Sequence, residues 1–328
     1  MQNININNTV ERYFNYGHCN GNPLFDDNEI EYLRSAIEKH HPKKIHQISL
    51  FNIEDEQALK LIFKAYNSEF IKSILKEIEK YTNTPISILP GFDVMRNQHL
   101  NKFYSKDDGW HRDCGGELIH DYCKKKLYQK SYIFGKIGIY LQENQEYGGS
   151  VDLIPFSHKY FNPKTIFIRK LKAIPMRMIY LLNSKVPSVH KIFPDKFYMF
   201  LMRAKKMYPK IGSPLFFDSR IIHRSSPIDR SVLNKVKFVP DAKNVAETPK
   251  EKIKYAIYCH FGSTLATDSY MYDRLRRDGE NIPGYSSMSM ELKRWCDEAD
   301  KVEKFSPLLA HSIKDVINPI LTKYQDYI

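Results

Sequence analysis

Two short stretches decide the fold: residues 109–113 read GWHRD, and residues 212–227 read GSPLFFDSRIIHRSSP. In an extended chain, residues i and i+2 project to the same side, so His111 and Asp113 point an imidazole and a carboxylate at one space. The second stretch has the pattern of a strand, a turn and a second strand that presents His223. Two histidines and one carboxylate can occupy one face of an octahedral metal ion and leave three positions open. An HxD pair alone often arises by chance, and the distant histidine is what favours a metal site.

Strand-like segments surround these stretches. They are short, rich in Ile, Tyr, Phe and Val, and punctuated by Gly, Pro, Asn or Asp, which is typical of antiparallel strands. The strand-like segments are 92–104, 133–142, 150–156, 214–218 and 253–262. Helical periodicity occurs on both sides of them. The helical segments are 26–42, 55–66, 68–81 and the tail from about residue 289. This order predicts an α+β fold, a sheet sandwich or barrel buttressed by helices.

The domain organisation follows from the same pattern. The 328 residues are enough for one large domain, and we expect a single domain over residues 1–328. Its predicted parts are a loose N-terminal arm at 1–24, a helical buttress at 25–90, a strand core at 91–265, a helical insertion at 161–210 within that core, and C-terminal helices at 266–328.

The net charge of +12 is concentrated in the insertion. Residues 161–210 contain twelve Lys or Arg and a single acid, Asp195, a net charge of +11. Such a lopsided segment indicates an anionic partner more strongly than a uniformly basic surface does. Its basic residues alternate with aliphatic residues and Met, as in a helix lying on an interface. The alternative is a lysine-rich insertion that simply faces water.

The cysteines and the hydropathy of the sequence indicate the cellular compartment in which the protein is expected. The five cysteines are widely spaced and form no CxxC pair, which fits a reducing compartment and favours neither a disulfide framework nor a cysteine zinc site. The N-terminal residues lack the pattern of a secretory signal, and no apolar run approaches the ~20 residues that span a bilayer. We expect a soluble, cytoplasmic protein that can also contact the inner face of an anionic membrane as a peripheral protein.

The ordered motifs resemble those of the phytanoyl-CoA dioxygenase family of iron(II)- and 2-oxoglutarate-dependent oxygenases. The resemblance covers roughly residues 92–263. The matching residues are WHRD at 110–113, the glycine pair 148–149, PFSHK at 155–159 with Phe156 in place of a glycine, LFFD at 215–218 and HRS at 223–225. The resemblance implies a double-stranded β-helix, the jelly-roll of cupin-like proteins. It also implies that His111, Asp113 and His223 are the catalytic iron ligands, whereas His158 helps a turn.

The resemblance also implies a cation for the co-substrate 2-oxoglutarate. The family places an arginine on its last strand, where it pairs with the far carboxylate of the keto acid. Here KYAIYCHF at 254–261 fits that strand with Lys254 at the arginine position, thirty-one residues after His223. A lysine keeps the charge but lacks the bidentate fork of arginine. Arg230 is the alternative by sequence distance, and Lys136 on an earlier strand is a further candidate that could assist from the side.

The expected reaction is hydroxylation. Related halogenases lack the ligand carboxylate, so the presence of Asp113 favours conversion of an unactivated C–H bond to an alcohol with iron, 2-oxoglutarate and O2, releasing succinate and CO2. The charge of 161–210 favours an anionic substrate, above all a lipid-linked one such as a glycolipid or lipopolysaccharide sugar. An acyl-CoA or carrier-linked thioester is the alternative substrate, and a non-catalytic jelly-roll binding module is the alternative function. Nucleic acid is the least favoured partner, because stacking aromatics do not accompany the basic residues.

Overall fold

The computed structural model describes residues 5–42, 47–97, 111–113, 126–127, 129–143, 150–161, 203–225, 254–279 and 288–327. Within these residues the chain is a mixture of helices and antiparallel sheet. The helices are α1 (Ile6–Tyr16), α2 (Asp27–His40), α3 (Glu56–Tyr66), α4 (Glu69–Thr82), α5 (Thr264–Gly279), α6 (Met288–Glu303) and α7 (Pro307–Lys323). The strands are β1 (His18–Asn20), β2 (Gln47–Ser49), β3 (Ser87–Asn97), β4 (Phe134–Tyr140), β5 (Val151–Ile154), β6 (Lys205–Lys206), β7 (Pro214–Asp218), β8 (Ile222–Ser225) and β9 (Lys254–Gly262).

The strands form two sheets. The larger sheet has the order β1-β7-β4-β9-β3-β2, and the smaller has the order β6-β5-β8. Each described strand pair is antiparallel. His111 adds a further bridge beside β8, because it pairs with His223. From β4 onwards the chain passes repeatedly between the two sheets: β5 and β6 lie in the smaller sheet, β7 in the larger, β8 in the smaller and β9 in the larger.

Alternation along the strands sorts the core into two layers. Ile139 and Ile257 belong to the larger apolar cluster, which also contains the buried faces of the helices. Their chain neighbours on the opposite face, Tyr140 and Ala256, belong to a smaller cluster with Leu153 of the second sheet. Successive side chains of a strand point to opposite faces, so one face of the larger sheet packs against helices and the other against the smaller sheet. The space between the sheets is where the functional side chains lie.

The N-terminal residues correct one prediction. The sequence favours a loose arm at 1–24, but residues 6–16 form α1 and residues 18–20 add β1 to the edge of the larger sheet beside β7. Val10 and Tyr13 are buried on one side of α1. The asparagine-rich composition of this segment hides that stripe, and Asn5 caps the helix by accepting from the backbone N–H of Asn8.

The other predicted elements differ from the structure mainly at their boundaries. The segments predicted as helices at 55–66 and 68–81 are α3 and α4. Strand β3 begins at Ser87, before the predicted start at residue 92. Most of the insertion 161–210 lies outside the described residues, and its described C-terminal part contains the strand β6. Among the described helices, none combines the length and apolar character that crossing a membrane requires.

Candidate metal centre

A buried ion pair fixes the turn that presents His223. Asp218 ends β7, and its Oδ1 accepts hydrogen bonds at 2.8 Å from the backbone N–H and from Nε of Arg220. Arg220 also donates to the carbonyl of Leu127 at 2.7 Å. The backbone N–H of Ile221 returns to the carbonyl of Asp218 at 2.9 Å and closes the turn. His223 therefore enters β8 from a turn whose charges are neutralised internally.

His111 and Asp113 are brought to His223 by backbone pairing. The N–H groups of His111 and His223 each donate to the other residue's carbonyl at 2.9 Å. Their rings lie 4.4 Å apart between centroids. Asp113 Oδ1 is 3.6 Å from His111 Nε2, and its Oδ2 is 3.4 Å from His223 Nε2. One ligand atom from each of the three residues lies within 4.8 Å of the others.

The environment of His223 keeps its ligand nitrogen available. Its Nδ1 is 3.0 Å from the carbonyl of Ile221, which can only accept, so Nδ1 carries the proton and Nε2 presents a lone pair. Burial lowers the pKa of His223 to about 4, although the charge of Asp113 opposes the shift. The imidazole is therefore neutral at neutral pH, as a metal ligand must be. The ring of Phe217 lies 5.2 Å away and forms one wall.

Lys136 lies against the carboxylate of the triad. Its Nζ is 3.0 Å from Asp113 Oδ2, without the angle of a hydrogen bond. Burial alone would raise the pKa of Asp113, but the charge of Lys136, followed by the two histidines, holds it well below its usual range. Asp113 is therefore ionised at neutral pH. The sequence placed Lys136 beside the co-substrate, whereas here its contact is with the predicted metal ligand.

The donor set fits a first-row divalent metal. Bonds of roughly 2.1 Å place neighbouring ligand atoms of an octahedron roughly 3 Å apart, which the present separations of 3.4 and 3.6 Å approach. Asp113 Oδ2 is buried without a hydrogen-bond partner. Two imidazoles and one carboxylate are the ligands of non-haem iron(II) sites that keep open positions. His111, Asp113 and His223 can thus bind iron.

Lys254 is a buried cation elsewhere between the sheets. Lys254, the first residue of β9, is 3% exposed, and its Nζ lies 5.2 Å from the ring centroid of Tyr140. The hydroxyl of Tyr258 donates to the hydroxyl of Tyr140 at 2.9 Å. Burial lowers the pKa of Lys254 to about 7, and Asp152 partly opposes that shift. Lys254 thus places a buried amine beside the ring of Tyr140.

The other residues that the sequence singles out are Arg230 and His158. Arg230 lies outside the described residues. His158 Nε2 donates to the carbonyl of Phe14 at 3.1 Å, and it is not part of the His-Asp-His cluster among the described residues. The sequence analysis missed Tyr140 and Tyr258. Strand alternation could have found them, because they share a face with Lys136 on β4 and with Lys254 on β9.

Comparison with known proteins gives structural neighbours only. No protein-family model matches the chain, and no curated protein matches it. AviO1 from Streptomyces viridochromogenes Tue57 is 11% identical, with a TM-score of 0.43, over 80% of this chain and 97% of that one. The non-heme alpha-ketoglutarate-dependent epimerase SnoN from nogalamycin biosynthesis is 10% identical, with a TM-score of 0.42, over 79% of this chain and 83% of that one.

A third neighbour is described in similar terms. The non-heme alpha-ketoglutarate-dependent carbocyclase SnoK, also from nogalamycin biosynthesis, is 12% identical, with a TM-score of 0.43, over 78% of this chain and 83% of that one. SnoN has also been solved with Fe3+ and alpha-ketoglutarate. Likeness at these values carries no argument about activity.

Proposed function

We propose that this chain is an iron(II)- and 2-oxoglutarate-dependent dioxygenase that hydroxylates an unactivated C–H bond of an anionic substrate. The observation that carries the proposal is the convergence of His111, Asp113 and His223 within 4.8 Å. These residues would hold iron through two imidazole nitrogens and one carboxylate oxygen. Bound iron with 2-oxoglutarate supplies the activation of O2, with succinate and CO2 as products.

The strand order supports a double-stranded β-helix as the scaffold. Along the chain, β3, β4, β7 and β9 enter the larger sheet, while the His111 bridge, β5, β6 and β8 enter the smaller one. Two four-membered sets that exchange the chain in this way wind a jelly-roll. The ordered motifs of the sequence favour the phytanoyl-CoA dioxygenase-like members of this class.

Lys254 is the residue we assign to the far carboxylate of 2-oxoglutarate. It is buried, so a salt bridge there is screened little by solvent. A lysine offers three donors without the planar fork of arginine. The ring of Tyr140 lies 5.2 Å from the Nζ of Lys254, and its hydroxyl, which accepts from that of Tyr258, keeps a proton to donate to the same carboxylate.

The substrate class rests on charge. Residues 161–210 carry a net charge of +11, and their basic residues alternate with aliphatic residues and Met. Such a segment attracts phosphate or carboxylate groups and favours an anionic lipid-linked substrate at a membrane surface. An acyl-CoA carries the same kind of charge in solution, and the two can be compared as substrates.

The test is anaerobic reconstitution followed by turnover. Protein loaded with Fe(II) and 2-oxoglutarate should develop the visible charge-transfer absorption of a chelated keto acid, and admission of O2 should release succinate. His223→Ala should abolish both signals, whereas Arg294→Lys, a substitution on α6, should retain them. If the wild type bound metal but showed neither the keto-acid absorption nor succinate release, the proposed function would be wrong and a non-catalytic binding module would take its place.

A further inference from the structure

Phe156 occupies a backbone conformation that bulky side chains avoid. Its φ is +65°, in the left-handed region, where the Cβ atom approaches the neighbouring carbonyl oxygen. A residue in this region persists when the surrounding structure holds it there, and such strain concentrates at functional positions. The backbone N–H of Phe156 donates to the carbonyl of Tyr16 at 3.2 Å, which fixes the turn.

The side chain of Phe156 does not offset this strain through burial in the core. It is 44% exposed, and its ring packs at 4.9 Å on that of Tyr16, which is itself 40% exposed. The two rings therefore form an exposed aromatic pair on the surface, where a glycine would satisfy the backbone without strain. Stability of the fold alone does not explain a phenylalanine at this position.

Both ends of the basic insertion leave the fold beside this pair. At one end of the insertion, the turn at Phe156 leads into a short 3-10 helix, Ser157–Phe161. At the other end, β6 pairs with Asp152 and Leu153 of β5, the strand just before the turn. Residues 162–202, between these ends, contain eight Lys or Arg and one acid.

Described basic side chains border the aromatic pair. Lys205 is exposed. The burial of His18, followed by the charge of Lys205, lowers the pKa of His18 to about 4. The His18 ring lies 6.4 Å from that of Tyr16. Arg203, two residues before Lys205, is exposed as well. Aromatic rings flanked by cations are the composition that proteins place at the headgroup level of an anionic bilayer.

This surface lies at the metal end of the molecule. The hydroxyl of Ser157, next to Phe156, accepts at 2.8 Å from the backbone N–H of Ile222, the residue before His223. The turn that carries Phe156 is therefore hydrogen-bonded directly to the strand that carries His223.

We propose that the Tyr16–Phe156 pair, flanked by Arg203 and Lys205, is an interfacial anchor that inserts into an anionic lipid bilayer. This inference rests on the proposed function, because the anchor would bring the oxygenase to a lipid-linked substrate. What the experiment measures is binding to a membrane surface. The aromatic rings would enter the headgroup region while the cations bind lipid phosphates. An acidic soluble ligand is the competing occupant that the experiment separates.

The experiment is co-sedimentation of the full chain with vesicles of equal parts phosphatidylglycerol and phosphatidylcholine, and with vesicles of phosphatidylcholine alone. Phe156→Gly should weaken binding to the anionic vesicles by about tenfold, because it removes the inserted ring. Its thermal midpoint should equal or exceed that of the wild type, since glycine adopts a positive φ without strain. The matched control is Leu308→Ser: Leu308 is 73% exposed on α7, which packs on β3 towards the other edge of the larger sheet.

Phe156→Trp supplies a direct second readout. Its added fluorescence should shift to the blue with anionic vesicles and not with neutral ones. If Phe156→Gly bound the anionic vesicles as tightly as the wild type, the anchor would be rejected. Weak, equal sedimentation of the wild type with both vesicles would reject the membrane and leave a soluble anion as ligand. Succinate release without vesicles is measured in parallel, so failure of the oxygenase proposal is recognised separately.

Discussion

Replacing Lys254 by arginine should change how the affinity for 2-oxoglutarate depends on pH. Lys254 is 3% exposed, and burial lowers its pKa to about 7. A guanidinium stays charged throughout the range in which the protein is handled. The wild-type protein therefore offers a full positive charge to the far carboxylate only below neutral pH, whereas the arginine variant offers one at every pH.

The direction and size of this pH effect on the affinity for 2-oxoglutarate follow from the protonation of Lys254. Below a pH of about 7 the lysine is charged in the ligand-free protein and can pair with the carboxylate at once. Above that pH, binding of 2-oxoglutarate must first take up a proton, so the apparent Kd rises by about tenfold per pH unit. Between about pH 6 and about pH 9 we expect a loss of affinity of roughly 100-fold in the wild type and of less than about threefold in Lys254→Arg.

Calorimetric titration of 2-oxoglutarate into Mn(II)-loaded protein measures this affinity without turnover. Lys254→Met, which removes the charge altogether, should weaken binding at low pH by about 2–5 kcal/mol, as loss of one partner of a desolvated ion pair does. Arg230→Met is the matched control and should keep the wild-type pH profile. A wild-type Kd that stays flat from about pH 6 to about pH 9 would refute the role of Lys254. A larger loss in Arg230→Met than in Lys254→Met would move the role to Arg230.

Three further predictions concern the triad and its supporting turn. Asp113→Ala and His223→Ala should each abolish Fe(II)-dependent succinate release while circular dichroism stays that of the wild type, because both side chains line an open site. Asp113→Gly opens a coordination position, so it should lose hydroxylation and show halide-dependent changes in the absorption of the Fe(II)–2-oxoglutarate complex. Asp218→Asn leaves the buried Arg220 without its counter-ion and should lower the free energy of unfolding by about 3–5 kcal/mol in urea at neutral pH. Because Arg220 lowers the pKa of Asp218 despite burial, this difference should shrink in acid as the wild-type carboxylate becomes protonated.

The sequence predicts best where the chemistry depends on local spacing. His111 and Asp113 are two residues apart, and strand alternation alone puts them on one side. His223 is distant, yet its turn has a recognisable pattern, and the structure brings all three residues together. Lys254 could be singled out only by matching a strand to a family pattern, and its burial became visible only in the structure.

Contacts between distant strands could not be predicted in the same way. Nothing near Lys136 in the chain indicates that Asp113 lies 3.0 Å from its Nζ, because that contact depends on how the segment of Asp113 crosses β4. The helix α1 was missed for a different reason. Its apolar stripe is interrupted by asparagines, which favour turns in isolation, and tertiary burial of Val10 and Tyr13 overrides that preference.

The register of the strands gives the site a direction. The end of β7 pairs with the start of β4, and the turn after it delivers His223, so the metal ligands lie at that end of the space between the sheets. Lys254 begins β9, whose last residues pair with the start of β4, so the lysine belongs to the opposite end. A keto acid that chelates the metal and reaches towards Lys254 would therefore lie in the interior, between the two sheets. Phe156 follows the strand β5, which pairs with β8 near His223, and so stands at the metal end.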